Sequence, residues 1–135
     1  MIFELSAEEA EFIVNNECCR FATCFKNKPH VVPVCYIFTD GYFYISTDYG
    51  TKKFYNIKNN PYASLVVDVY SPSNHKGVVI CGSAILIERG ELFKEVYTMF
   101  YNKFEWVKNN PWLEGESPFI KIQPESKTSW GLNKI

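Results

Sequence analysis

The sequence predicts a mainly β fold, a closed antiparallel barrel with a few helices packed outside it. Two observations carry this. About six short stretches rich in Val, Ile, Tyr, Phe and Thr are each bounded by Pro, Gly, Ser or Asn. Three helical patterns are too few to cover both faces of a parallel sheet. The 135 residues suit one domain, residues 1–135, and 47% hydrophobic with 17% aromatic content at a net charge of -1 describes a chain that folds.

In chain order, Ser6-Ala7-Glu8-Glu9 reads as a capping box that opens a helix over about Ala7 to Asn16. Strands are expected over Arg20 to Phe25, His30 to Phe38 and Tyr42 to Thr47, separated by Asn27-Lys28-Pro29 and Asp40-Gly41. The middle one is apolar on both faces, so it should be buried on both sides or lie against a ligand. Pro33 within it cannot donate to a ladder, which requires an edge or a bulge there. A helix over about Lys52 to Asn59 and another over about Glu91 to Lys108 both end on Lys-Asn-Asn-Pro, a helix-stop signal rather than a repeat. In the second, Leu92, Val96, Phe100 and Phe104 form a core stripe. Further strands are expected over Tyr62 to Tyr70, Gly77 to Glu88 and Phe119 to Gln123.

Several function classes are excluded or disfavoured. No apolar run approaches the roughly 20 residues that a membrane-crossing helix needs, and Met1 to Leu5 lack a signal-peptide layout, so a cytoplasmic location with no membrane is expected. The balanced charge argues against nucleic acid, although Lys52 to Lys58 interleaves basic and aromatic residues. Five cysteines (Cys18, Cys19, Cys24, Cys35 and Cys81) contain no C-x-x-C pair, so no metal is expected. Four of the five lie in strand-like stretches and are expected to be small buried hydrophobes. No Ser-His-Asp, Cys-His or paired-carboxylate set offers protein-based acid, base or nucleophile, and no catalytic residue is assigned.

The chemically informative stretch is Ser46 to Lys53, where a strand ends, turns at Gly50 and opens a helix with Thr51 at its N-cap. Lysines at the first two helical positions face the positive end of the helix dipole, a small penalty. An anion there would reverse that penalty, because free N–H groups, two ammonium groups and the Thr47 and Thr51 hydroxyls would converge on a phosphate. Solvated surface lysines are the competing reading.

The run from Gly50 to Pro61, G-T-K-K-F-Y-N-I-K-N-N-P, resembles the G-[ST]-[RK]-K-x-x-N-[IL]-x-x-N-P segment of the pyridoxamine-phosphate-oxidase-like FMN-binding split barrels. Arg20 to Thr23, Pro29 to Val34, Val79 to Ala84, Phe119 to Pro124 and Trp130 are similar to that family's other strands and tail, in the same order. The resemblance implies a six-stranded split-barrel homodimer with FMN at the subunit interface. It implies that Thr51, Lys52 and Lys53 hold the phosphate, with Ser46 and Thr47 beside it; where the oxidases of the family place Arg and Lys around the second strand, this chain departs with His30 and Cys35, and His30 is a candidate further donor to the phosphate. It also implies that the Val31, Val32, Pro33 and Val34 backbone lies along the isoalloxazine ring, with Trp130 against the partner's flavin or in the core. The implied activity is transfer of hydride or electrons between flavin and a small acceptor. A non-catalytic electron-transfer or sensing module and a deazaflavin-dependent reductase stay open. The ending Trp130 to Ile135 departs from the R-L-H-D-R-like segment of true pyridoxamine-phosphate oxidases and argues against that activity. The 23 aromatic residues (3 Trp, 9 Tyr, 11 Phe) exceed what one small core hides, which also points to a dimer.

Overall fold

The computed structural model describes residues 3–132. Its elements in chain order are α1 (Ala7–Val14), β1 (Cys18–Phe25), β2 (Lys28–Cys35), β3 (Ile37–Thr39), β4 (Tyr42–Ser46), α2 (Lys52–Asn59), β5 (Tyr62–Ser71), β6 (Asn74–Ile87), α3 (Glu91–Lys103), α4 (Glu105–Asn109) and β7 (Phe119–Trp130). Every strand pairing is antiparallel, and the sheet runs β2-β1-β5-β6-β7-β4-β3. The mainly β antiparallel barrel with flanking helices is therefore present, with seven strands in place of six.

The extra strand comes from a break within the expected His30 to Phe38 stretch. The Tyr36 N–H donates to Glu17 O (3.0 Å), after which the chain leaves β1 and pairs with β4. β2 and β3 are thus the two edges of the sheet, yet one residue joins them. A sheet whose edges are that close in the chain has to curl on itself, and this makes the split barrel. The hairpin turns fit their residues: Lys26 and Asn27 have φ of 53° and 61°, and Asp40 and Gly41 have 53° and 84°, the double positive φ that two-residue hairpins use.

The Glu17–Tyr36 rung is hydrogen-bonded, so rungs alternate from it and Cys18–Cys35, Arg20–Pro33 and Ala22–Val31 are non-hydrogen-bonded rungs. Pro33 therefore sits where its missing N–H would have pointed away from β1, at the open edge, and costs the ladder nothing. The edge expected of this residue is observed.

Inward residues of the strands, among them Phe21, Phe43, Ile45, Leu65, Val67, Ile80, Ile120 and Ile122, fill the barrel, with Ile13 of α1 closing one side. A second core lies outside the sheet, where Phe93, Val96 and Phe100 of α3 pack on Tyr44, Ile87 and Phe119. The helix expected from Glu91 to Lys108 breaks at Phe104, which turns extended (φ −111°, ψ 120°) and is buried. The last strand continues seven residues beyond Gln123, because a bulge at Cys81/Gly82 lets β7 keep pairing with β6 to Trp130.

α1 begins with the capping box read from the sequence. Its Glu9 also accepts hydrogen bonds from Lys127 and from Ser129 Oγ (2.6 Å), tying the helix to β7. Of the cysteines only Cys19 is buried; Cys18 and Cys81 are exposed and Cys24 and Cys35 half-buried. This corrects the expectation of buried thiols: alternation places Cys18, Cys24, Cys35 and Cys81 on the outer face of the sheet, where Cys35 is partly covered by the helical cluster of Phe104 and Val107. Among the described residues no helix is long and apolar enough to cross a membrane.

Candidate functional site

β4 delivers Ser46 and Thr47 to the start of α2. The Thr47 N–H donates to Pro118 O (3.1 Å), which fastens this end of β4 beside the start of β7. Thr51 is the N-cap, extended at φ −86° and ψ 156°, and its Oγ1 accepts from the Phe54 N–H (3.3 Å). The same hydroxyl donates to Asp48 O (2.8 Å) and lies 2.9 Å from Thr47 Oγ1. The Thr51 hydroxyl is thus committed to the turn. No acidic residue stands in the first turn of α2, so nothing on the helix offsets its positive end.

Beside this turn lies a cavity of about 390 Å3. Ser46, Thr47, Asp48 and Lys53 form one wall, and Trp106, Asn110, Trp112 and Ser117 form the other. Burial pushes the Lys53 ammonium below its ordinary pKa, and the Asp48 carboxylate partly restores it. A cation short of solvation gains most from an anionic ligand. Asp48 is itself engaged, since Ser117 Oγ donates to its Oδ1 (2.7 Å). The two indoles are stacked, with centroids 6.3 Å apart and planes 11° from parallel, and Trp112 Nε1 donates to Ser117 O (3.1 Å). One end of the cavity is thus cationic and hydroxylated, the other flat and aromatic.

The sequence-predicted residues divide among several places. Ser46, Thr47 and Lys53 meet at the cavity, with Thr51 behind them. Lys52 points elsewhere, into a cleft of about 170 Å3 with Phe25, Lys26, Lys28 and Tyr55. Successive helical residues diverge by about 100°, so two adjacent lysines do not share one pocket. His30 stands opposite Thr23 in the ladder; its Nδ1 is buried and has no hydrogen-bond partner among the described residues. Val32 and Val34 are half-buried, while Val31 and Pro33 are exposed, Val31 by 61%. β2 is therefore not covered on both sides by this chain, and its edge leaves a row of main-chain groups without ladder partners. Trp130 ends β7 opposite Gly77, half-buried, with its ring 5.4 Å from His75 and its Nε1 buried and unpartnered among the described residues.

Asp48, Trp106, Asn110, Trp112 and Ser117 were not singled out from the sequence. Their one signal was the pair of tryptophans flanking Asn109-Asn110-Pro111, a stop after which the chain turns back toward β7.

A curled antiparallel sheet whose β4–α2 turn opens on a polar cavity defines a small split-barrel protein. The family model for pyridoxamine 5'-phosphate oxidase matches residues 5–131, and the chain belongs to that family. No curated protein matches it by sequence. Among solved structures it is similar to a conserved hypothetical protein of Mycobacterium tuberculosis, with a TM-score of 0.80, 20% identity, and 98% of this chain and 88% of that one covered. The heme storage protein HutZ of Vibrio cholerae gives 0.78 and 18% over 96% and 95%. A FAD-binding protein of Mesorhizobium loti gives 0.76 and 23% over 93% and 94%. At these identities the likeness is one of fold.

Proposed function

We propose that the protein is a homodimeric FMN-binding flavoprotein that passes hydride or electrons from reduced flavin to a small acceptor. The observation that carries this is the half-buried Lys53 ammonium at the uncompensated N-terminus of α2, in one cavity with Ser46 and Thr47. Those groups fit a phosphate: Lys53 supplies charge, the Ser46 hydroxyl supplies a hydrogen bond, Thr47 supplies another once its hydroxyl turns from Thr51, and the first-turn N–H groups supply the positive end of the dipole. Thr51 holds the turn that aims them. The free edge of β2 from Val31 to Val34 offers main-chain groups and apolar side chains for a flat ring. When bound, the flavin supplies the redox chemistry, and the chain's residues bind it, orient it and exclude water.

A second copy of the chain would cover the outer face of β1, β5 and β6. Tyr62 and Ile85 are exposed there and Val31 on the adjoining β2, and Tyr62, exposed by 66%, lines a shallow hollow with Ala22, Pro29 and Cys81. The absorption spectrum of the purified protein, followed by heat release and identification of the chromophore, tests the reading. Free FMN supports it. A released FAD or heme replaces the cofactor, and a colourless protein that takes up no added FMN overturns it. Turnover with a reductant and a panel of acceptors separates an enzyme from an electron-transfer or sensing module.

A further inference from the structure

Cys18 and Cys35 are direct partners across the β1–β2 ladder, at its last rung before the seam, and their Sγ atoms are 3.7 Å apart. The Tyr36-to-Glu17 hydrogen bond on the next rung makes this a non-hydrogen-bonded pair, the kind that brings side chains closest, with Cα atoms about 4.5 Å apart. That separation lies within the range that disulfides span. Cys18 is exposed and Cys35 half-buried, so one thiol is accessible to a reagent and the other is held beside it. Cys24 and Cys81, also on the outer face, have no such partner: Cys24 stands opposite Pro29, and Cys81 Sγ meets Ser64 Oγ at 3.5 Å.

We propose that Cys18 and Cys35 are a redox-active pair that a low-molecular-weight disulfide converts reversibly into a cross-strand disulfide. The exposed Cys18 thiolate attacks one sulfur of the small disulfide, forming a mixed disulfide and releasing one thiolate. Cys35 then gives up its proton to solvent and its sulfur attacks Cys18 Sγ, expelling the second thiolate. Two protein thiols are oxidised to one disulfide, and one small disulfide is reduced to two small thiols. Burial and the neighbouring Cys18 thiol push Cys35 up to about 11, which places the first attack on Cys18. The Trp106 indole N–H faces the Cys35 thiol and also walls the cavity, so closure of the pair acts on a neighbour of the candidate site.

The test is to incubate the native protein with oxidised glutathione near neutral pH, alkylate the remaining thiols and map the cysteines by mass spectrometry. With alkylation completed under denaturing conditions, the expected product links Cys18 to Cys35, has Cys19, Cys24 and Cys81 alkylated, and returns to five alkylated sites after treatment with dithiothreitol. The Cys24→Ser/Cys81→Ser variant should form the same link, and Cys18→Ser should lose it. Glutathione held separately on Cys18 or Cys35, alkylation of both, or a link to any other cysteine would overturn the proposal.

Discussion

The Thr47 and Thr51 hydroxyl oxygens lie 2.9 Å apart, so a side-chain contact joins the end of a strand to the cap of the following helix. Thr51→Ala removes this contact and the cap together and should cost about 1 kcal/mol of stability, whereas Thr51→Ser keeps most of both. Urea denaturation of the two variants checks this; equal losses would mean that the methyl group matters and the hydroxyl does not.

Lys53→Ala should weaken FMN binding by roughly tenfold or more, the scale of one charge-assisted contact. Lys52→Ala and Lys58→Ala should each do less, because Lys52 faces the other cleft and Lys58 lies in the last turn of α2. Fluorescence titration with FMN ranks the three. Equal losses at positions 52 and 53 would move the phosphate away from the cavity.

Burial alone would raise the Glu9 pKa, but hydrogen bonds from Lys127, Ser129 and the Ser6 N–H override it and bring it down from 4.5 to about 2. A depressed carboxylate contributes stability above its unfolded pKa and loses it as pH falls toward the folded value. The advantage of the wild type over Glu9→Gln, at most about 3 kcal/mol, should be full above about pH 5 and fade between pH 4.5 and 2. Denaturant midpoints measured across that window show whether it does.

A Cβ at Gly77 would stand 2.6 Å from Trp130 Cζ2 and 2.9 Å from Asp68 Cβ. Gly77→Ala should therefore destabilise by about 1–3 kcal/mol, and adding Trp130→Ala should recover part of that loss. Additive losses in the double variant would show that the indole yields without cost.

FMN that binds only the assembled dimer stabilises it by mass action, so added FMN should raise the dimer fraction and the Tm together. Light scattering at micromolar concentration and a thermal melt read the two quantities. A monomer that binds FMN with full affinity would show that one chain builds the whole site.

The strands, the capping box and the Thr51 cap were legible because each rests on local chemistry: turn residues, alternation and a hydroxyl three residues before its N–H. The break at Tyr36 was not, since a run apolar on both faces carries no mark of where it changes partner. The turn at Phe104 was hidden because the apolar stripe continues across it. Trp106 and Trp112 reach the cavity only through tertiary packing, and a sequence shows no contact of that range. Lys52 is different: the angle between successive helical residues already separated it from Lys53.

The ladder that holds the cavity together has a consequence for how the molecule forms. β4 meets β7 with Ser46 opposite Phe119, about 70 positions later in the chain, whereas β1–β2, β3–β4 and β5–β6 are hairpins of near neighbours. Closing so long a loop costs entropy that short hairpins avoid, so this pairing should come late in folding. The bond from Thr47 to Pro118 and that from Ser117 to Asp48 belong to the same event. The pocket wall is therefore complete only when the barrel has shut, and ligand capture would report the last step of folding rather than its beginning.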